Sequence, residues 1–249
     1  MSDTARLAGL RGEQIVATTA EECATQLAVA LATHLRQRLE RFACVHLALS
    51  GGSSGELVCR ALARGQALRA SDWGRLHVWQ VDERCVADAD PRRNFGLIRD
   101  ALGPMTKNLH PMPVLLADGA ESYERELRVA LAEREDAAEP CLDAVVLGLG
   151  ADGHTASLFP GSAALEERER WIVWNDGEPV TPPRPRMTMT YPVLNRARFI
   201  ALLVTGAGKQ AALRQLAAAR EGARTLPVSG VIPQAGARLA WFFDQAAMP

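Results

Sequence analysis

The residue best suited to acid–base chemistry is His154, in the run GLGADGHTASLFPG at residues 148–161. The preceding run, 143–147, is short, largely apolar and rich in valine, which predicts a buried strand. His154 thus follows the carboxyl end of a strand, where ligands of open α/β sheets bind. With a reference pKa of about 6.5, an imidazole there can take a proton from water at neutral pH. Asp152 either orients that imidazole or caps the turn, and a surface turn with an incidental histidine would have the same local sequence.

Polar side chains that suit an oxyanion follow other predicted strands. In the run SGGSSG at 50–55, the glycines allow close backbone approach and the serines supply hydroxyl donors. Arg84 and Lys209, in two other segments, supply charged donors. Each segment alone fits an ordinary turn or cap. Because parallel strands end at one edge of a sheet, the segments together predict a phosphate site. Its members are Ser50, Gly51, Gly52, Ser53 and Ser54 in the loop SGGSSG, Arg84 in DER at 82–84, and Lys209.

Several familiar site signatures are missing from the sequence. GxxxxGK[ST] is absent and GxGxxG does not follow the first strand, so neither a nucleoside triphosphate nor a dinucleotide is predicted. HExxH and CxxC spacings are absent as well. We therefore expect a site without metal and without an organic cofactor.

One rival pattern is GGSSG at residues 51–55, which satisfies the GxSxG nucleophile elbow of α/β-hydrolases. It lies between a predicted strand at 45–49 and a predicted helix at 56–64. The elbow normally follows several earlier strands, whereas only about 44 residues precede this strand. The triad histidine should also come late, but no histidine follows His154. A serine esterase or lactonase is kept as an alternative function.

Strands and helices alternate along the chain, which predicts an α/β fold with a mostly parallel sheet and helices on both faces. Thr19 and Glu22 form a capping box that opens a helix with one apolar stripe. No repeat or linker divides the chain, so a single domain over residues 1–249 is predicted. Further predicted elements are strands at 76–81, 198–204 and, at an edge, 239–244, helices at 95–102, 121–134 and 210–220, and a proline-rich loop at 178–185.

The composition is that of an ordinary soluble globular chain, with 48% hydrophobic and 23% charged residues and a net charge of −1. That balance gives no reason to expect nucleic acid or an anionic membrane as a partner. The first residues lack a signal-peptide pattern, and no apolar run reaches the length of a membrane span. The five cysteines are odd in number and widely spaced, which favours a reducing, cytoplasmic location.

The run at 148–161 resembles the G-x-G-x-D-G-H-x-A-S-L-F-P-G signature of the 6-phosphogluconolactonase family. The likeness extends from about residue 10 to residue 247. Further blocks match the family in the same order, which makes the resemblance specific. They are LSGGS at 49–53, DER at 82–84, PVLN at 192–195 with Arg186 upstream, VTGAGK at 204–209, and the tail from PVS at 227–229 to WFFD at 241–244.

This resemblance implies a three-layer α/β/α Rossmann-like fold and the hydrolysis of 6-phospho-D-glucono-1,5-lactone. The partner is then a small phosphosugar lactone, and a monomer or weak homo-oligomer is expected. By this likeness, Asp152 still has two possible roles, in orienting the imidazole or in capping the turn. The residues that the resemblance implicates are His154 as the catalytic base, Arg84 and Lys209 with the Ser50–Ser54 loop on the phosphate, and Asp82 and Asn94 beside the sugar.

The related glucosamine-6-phosphate deaminases share the Asp-Gly-His turn. They carry a catalytic glutamate five residues after that histidine, where this chain has Phe159, and they favour Asp-Glu-Tyr where it has DER at 82–84. Both differences favour the lactonase. The alternative outside the enzymes is a regulator that binds a sugar phosphate without turning it over.

The sequence departs from the family pattern at several positions near the predicted site. A hydroxyl is kept at Ser54, so the phosphate loop should still work, and the two arginines are expected to add positive charge near the anion. The departures are Ser54-Gly55 for Thr-Pro, Ala151 for a frequent glutamate, and Arg92-Arg93 for a frequent Asp-Ser before Asn94.

Overall fold

The computed structural model of the protein describes residues 7, 9–65, 67–132, 140–176, 183, 185–219 and 225–249. Strands and helices alternate along these segments. The strands are β1 (Glu13–Ala17), β2 (Val45–Leu49), β3 (Leu76–Gln80), β4 (Asp82–Arg84), β5 (Leu109–His110), β6 (Ala144–Gly148), β7 (Ile172–Asn175), β8 (Arg186–Met189), β9 (Phe199–Val204) and β10 (Arg238–Asp244). The helices are α1 (Ala20–Leu39), α2 (Gly52–Arg64), α3 (Ala70–Trp73), α4 (Asn94–Leu102), α5 (Gly119–Ala132), α6 (Tyr191–Leu194) and α7 (Gln210–Ala218).

Seven strands form one sheet in the order β1-β10-β9-β6-β2-β3-β5, and every neighbouring pair in it is parallel. One face of this sheet packs against α1, α2 and α4, and the other against α5 and α7. The predicted three-layer α/β arrangement is confirmed. Because the strands run in one direction, their carboxyl ends share one edge, where the segments after β2, β3, β6 and β9 emerge.

The start of α1 follows from its sequence. Thr19 is the N-cap, and its hydroxyl accepts the N–H of Glu22 at 3.2 Å. The Glu22 carboxylate accepts the N–H of Thr18 at 2.9 Å, one residue before the position that a reciprocal capping box would use. Leu27 and Leu31 then lie on the buried face, four residues apart.

A small antiparallel sheet, in the order β4-β8-β7, lies beside the main sheet. We predicted Asp82–Arg84 as the polar end of the preceding strand, but that strand ends at Gln80 and the three residues form β4. Pairing with β8 places Arg84 opposite Arg186. A strand of three polar residues is too short to show a hydrophobic period. Its pairing partner also lies about a hundred residues away, so no local pattern reveals the pair.

Two further predictions are corrected. The last strand is present, but β10 lies inside the sheet between β1 and β9, since the short and only partly buried β1 forms the edge. Helix α2 begins at Gly52 rather than Glu56. Most of the Ser50–Ser54 run, here called the Ser/Gly segment, is therefore the first turn of the helix and not a loop. The predicted helix ends at 134 and 220, and most of the loop at 178–185, lie outside the described residues.

Among the described residues, no helix combines the length and apolar character needed to cross a bilayer. In the same part of the chain, no group of three or more His, Cys, Asp or Glu side chains is arranged to hold a metal ion.

Candidate active site

His154 and Asp152 form a short hydrogen-bonded pair after β6. The imidazole Nδ1 lies 2.6 Å from Asp152 Oδ1, which also accepts the backbone N–H of His154 at 3.1 Å. Since an ionised carboxylate can only accept, Nδ1 carries a proton, and in the neutral imidazole Nε2 therefore keeps its lone pair. Burial raises the pKa of Asp152, but the hydrogen bonds and positive potential from His154 outweigh it and lower that pKa. Asp152 therefore fills both predicted roles, because it caps the turn and orients the ring.

Two glycines of this turn leave room for neighbouring side chains, Gly150 for the imidazole and Gly153 for Leu226. A Cβ on Gly150 would lie 2.1 Å from His154 Nδ1, so the ring occupies the space of a side chain at that position. Gly153 has a φ of +82°, and a Cβ there would lie 2.7 Å from Leu226. Phe159, which is buried, places its ring centroid 4.6 Å from that of His154. The imidazole is thus fixed on three sides by its own turn and by Phe159.

The first turn of α2 brings the Ser/Gly segment to the same sheet edge. Its N-cap, Gly51, offers no side-chain cap, so the first N–H groups of the helix stay available to a ligand. Ser54 Cβ lies 3.8 Å from the position that a Cβ on Gly148 would take, which puts this turn beside the end of β6. Ser50 Oγ is buried and has no hydrogen-bond partner among the described residues.

Asp82 and Asn94 are joined to each other and to the neighbouring segments. Asn94 Nδ2 donates to the carbonyl of Asp82 at 2.9 Å, and the Ser157 hydroxyl donates to Asp82 Oδ2 at 2.6 Å. A Cβ on Gly51 would lie 2.0 Å from Asn94 Cγ, so only glycine admits this close packing. Asn94 Oδ1 is buried without a partner among the described residues. Asp82 thus acts as a connector, whereas Asn94 keeps an unused acceptor.

The turn of Ser157 is strained. Ala156 has a φ of +51° and is the only non-glycine residue with positive φ in the described part of the chain. This conformation turns the chain back so that Leu158 N–H donates to the Thr155 carbonyl at 3.0 Å. Such strain is typical of functional sites, and here it sets the position of Ser157 against Asp82.

Two arginines, Arg84 and Arg186, lie opposite each other across β4 and β8. Arg84 Nη1 donates to the carbonyl of Arg92 at 2.6 Å, whereas its buried Nε has no partner among the described residues. Arg186, opposite Arg84, lies over Phe159 with its Cζ 5.8 Å from the ring centroid. Burial lowers the pKa of Arg186, the nearby Asp82 carboxylate opposes this, and Arg84 lowers it further. These two cations, of which Arg186 is largely buried, suit an anionic ligand.

Lys209 approaches the site from the segment after β9. Its amine is half-buried, and burial lowers its pKa while the negative charge of Asp152 opposes that shift. The Gly206 N–H donates to both carboxylate oxygens of Asp244, at 3.0 and 3.1 Å, which anchors the segment to the end of β10. Lys209 thus lies on the Asp152 side of the site, and Arg84 and Arg186 lie on the Phe159 side.

Glu83, Arg186, Asp244 and Ser157 were not among the residues that we predicted for the site. Glu83 is fully buried and accepts the N–H groups of Asn94 and Phe95, both at 2.8 Å, so it caps α4. Arg186 and Glu83 belong to segments that carry the family resemblance, which was the available signal. Ser157 and Asp244 also lie in matching blocks, at 148–161 and 241–244, but sequence spacing does not reveal their hydrogen bonds to distant segments.

We expected Arg92 and Arg93 to add positive charge near the bound anion, and the structure corrects this expectation. Arg92 forms a bidentate pair with Asp90, at 2.9 and 2.6 Å. Arg93 is buried and pairs with Asp88 at 3.1 Å and with Glu83 at 3.6 Å. Both charges are therefore balanced by carboxylates, and what these residues supply to the site is backbone position.

Known proteins share this arrangement of sequence and fold. The family described as glucosamine-6-phosphate isomerases/6-phosphogluconolactonase matches residues 18–241. A 6-phosphogluconolactonase of Rattus norvegicus is 37% identical over 243 residues, which cover 93% of this chain and 91% of that protein. The structure of 6-phosphogluconolactonase from Trypanosoma cruzi superposes with a TM-score of 0.81 at 25% identity, covering 95% of this chain and 96% of that one.

A longer human relative also matches nearly the whole chain. The "GDH/6PGL endoplasmic bifunctional protein" of Homo sapiens is 35% identical over 249 residues, 95% of this chain. The chain spans only 30% of the length of that protein. With the family match covering most of its length, the chain belongs to the glucosamine-6-phosphate isomerase/6-phosphogluconolactonase family.

Proposed function

We propose that this protein hydrolyses 6-phospho-D-glucono-1,5-lactone to 6-phospho-D-gluconate, the second step of the oxidative pentose phosphate pathway. The observation that carries the proposal is the His154 imidazole, whose Nδ1 is held by Asp152 so that Nε2 can accept a proton. The names of the rat and Trypanosoma cruzi relatives support the same reaction. The cations Arg84, Arg186 and Lys209, on two sides of the His154 turn, support an anionic substrate.

In the proposed mechanism, a water molecule attacks the lactone carbonyl while His154 Nε2 takes one of its protons. The carbonyl π electrons move onto oxygen to give a tetrahedral oxyanion, and the imidazolium is stabilised by the Asp152 carboxylate. When the oxyanion collapses, the bond between C1 and the ring oxygen breaks. His154 returns its proton to that oxygen, which becomes the hydroxyl of the open-chain acid.

Substrate binding is assigned to the Ser50–Ser54 segment, Arg84 and Lys209, with Asn94 beside the sugar. Support comes from polar atoms that lack a partner among the described residues, namely Ser50 Oγ, Arg84 Nε and Asn94 Oδ1. Buried polar groups are normally hydrogen-bonded, so a ligand with both acceptors and donors would complete them. A phosphate supplies acceptors for Arg84 and Ser50, and a sugar hydroxyl supplies a donor for Asn94.

Isomerisation or deamination of an amino sugar phosphate is disfavoured by Phe159. This apolar ring lies against His154 at the position where the deaminases carry a glutamate, so the imidazole has no second acid–base group there. We expect no turnover of glucosamine 6-phosphate under conditions in which the lactone is hydrolysed. Measurable deaminase activity would contradict this assignment.

The serine-hydrolase alternative gains no support from hydrogen bonding, since no imidazole of the described residues bonds to Ser53 or Ser54. A fluorophosphonate probe should leave both serines unlabelled. Labelling of Ser53 would instead favour the esterase.

The decisive experiment is an assay with freshly generated lactone, coupled to 6-phosphogluconate oxidation and corrected for the spontaneous rate. We expect saturable hydrolysis without added metal or cofactor, and unchanged activity after treatment with a chelator. A rate equal to the spontaneous one, together with tight binding of 6-phosphogluconate, would favour the sugar-phosphate-binding regulator.

The proposal includes a cytoplasmic protein that is a monomer or a weak homo-oligomer. The cysteines support the location, because no disulfide joins them in the described part of the chain. Fractionation of cells and light scattering of the purified protein test the two statements. A stable higher oligomer or a membrane-enclosed location would contradict them.

A further inference from the structure

Arg93 is buried next to the candidate site and is held on several sides. Only 5% of its side chain is exposed, and it is the N-cap residue of α4. Its Nη2 pairs with Asp88 Oδ1 at 3.1 Å, and its Nη1 donates to the Val86 carbonyl at 3.2 Å. Its Nε lies 3.6 Å from Glu83 Oε2. These contacts fix one short loop, residues 85–93, against β4.

Glu83 is the buried anion that this loop packs against. Besides the two N–H groups of α4, it accepts the Arg84 N–H at 2.7 Å and the Gln80 side-chain amide at 2.8 Å. A fully buried carboxylate needs hydrogen bonds together with a compensating cation. Arg93 supplies that cation, so the charge pair joins the start of α4 to β4.

The same loop carries the group that orients Arg84. The Arg84 guanidinium donates to the carbonyl of Arg92, the residue directly before Arg93. The Arg92 side chain points elsewhere, to Asp90 at 2.6 Å. The position of the Arg92 carbonyl is therefore set by its backbone, which Arg93 anchors. Arg84 Nε, which lacks a partner among the described residues, is then left to face a ligand.

We propose that Arg93 is a positioning residue, whose ion pair with Glu83 fixes the Arg92 carbonyl and so aims Arg84 at the anionic group of the substrate. The inference rests on the proposed lactonase function. It explains the arginine at a position where the family resemblance leads one to expect a serine. The charge of Arg93 is neutralised by Glu83 and Asp88. Arg93 therefore affects substrate binding indirectly, by positioning Arg84.

The first test compares Arg93→Ala with wild type in lactone hydrolysis. We expect KM to rise about 10-fold, because residues in contact are commonly coupled by an energy of that size. The kcat should change much less. Arg93→Lys, which keeps the charge but not the fork of donors, should recover part of the KM. Arg99→Ala is the matched control, because this exposed arginine lies on the same helix and pairs only with Asp100 among the described residues. An unchanged KM in Arg93→Ala would overturn the proposal.

A double-mutant cycle with Arg84→Ala separates positioning from a general loss of structure. If Arg93 acts through Arg84, adding Arg93→Ala to Arg84→Ala should raise KM no further. Equal KM increases in both backgrounds would overturn the proposal. Should Arg93→Ala fold poorly, Asp88→Asn offers a milder variant, since the Asp88 side chain is 80% exposed and that change loosens one contact of Arg93. We expect a KM increase of about 2-fold from it, and none in the Arg84→Ala background.

The proposal and the lactonase function can fail separately. If wild type shows no turnover but binds 6-phosphogluconate, calorimetry on the same variants replaces KM with Kd, and the same non-additivity is expected. Additive changes in Kd would then overturn the role of Arg93 alone. Wild-type protein that neither hydrolyses the lactone nor binds 6-phosphogluconate would overturn both.

Discussion

The two halves of the candidate site are built in different ways. The half that holds His154 is one turn, in which Asp152 and Gly150 contact the imidazole directly. The half that would bind the anion is assembled from the segments after β2 and β9, from the start of α4, and from β4 and β8 of the second sheet. A consecutive turn can be specified by local sequence, whereas the other half depends on sheet order and on buried connectors such as Glu83. We therefore expect damage to the turn to lower kcat, and damage to the assembled half to raise KM.

The largest effect is expected from His154→Ala. Removing the proposed general base should lower kcat by about 10²-fold to 10⁴-fold, the usual contribution of such a group. The melting temperature should change little, because the imidazole is 32% exposed and its one hydrogen-bonded side-chain partner among the described residues is Asp152. Steady-state kinetics and thermal unfolding measure the two quantities. A kcat near that of wild type would remove His154 from catalysis.

A smaller but still large loss is expected from Gly150→Ala. The new Cβ would lie 2.1 Å from His154 Nδ1, so the imidazole has to move and its bond to Asp152 is disturbed. A displacement of this kind can cost about 10²-fold in kcat. Gly96→Ala in α4 is the control, since a Cβ there meets no atom within 4 Å. If Gly150→Ala keeps the wild-type kcat, as Gly96→Ala should, the turn tolerates displacement of the imidazole, which would contradict the assignment of kcat to this half of the site.

The matching change in the assembled half is Gly51→Ala. A Cβ there would lie 2.0 Å from Asn94 Cγ, and would push that side chain away from the first turn of α2. We expect KM to rise about 10-fold with a lesser effect on kcat, and Gly96→Ala again serves as the control. A loss confined to kcat would contradict the division of the site into two halves.

The smallest effect concerns pH and Lys209. Burial lowers the pKa of this amine, so it loses its charge at a lower pH than an ordinary lysine of pKa 10.5. If the charged amine binds the anion as proposed, affinity for 6-phosphogluconate should weaken by a few-fold as pH rises through that lowered pKa. Lys209→Arg should shift this weakening to higher pH, because a guanidinium stays charged. Calorimetry across the alkaline range measures it, and identical profiles would argue that Lys209 does not contact the anion.

Predictions from the sequence succeeded where the pattern was local. The strands β2, β6 and β9 were found because each is a short, continuous apolar run, and the helix α1 because its apolar residues recur at helical spacing after a cap. The edge strand β1 and the three-residue β4 were missed, since neither is long or apolar enough to show a period. The placement of Arg84 opposite Arg186 was missed with β4, because it depends on pairing between distant segments.

Patterns among near neighbours in the sequence were enough to predict the alternating α/β architecture, the family resemblance and the turn that carries Asp152 and His154. These follow from spacing among near neighbours, which fixes hydrophobic period, turn geometry and the reach of one side chain to another. Three features required the tertiary structure: Asp152 both caps the turn and bonds the imidazole, Arg93 is neutralised by Glu83 and Asp88, and Arg186 lies opposite Arg84. The physical reason is that burial and charge compensation are properties of packed neighbours, and the chain brings those together only when the sheets form.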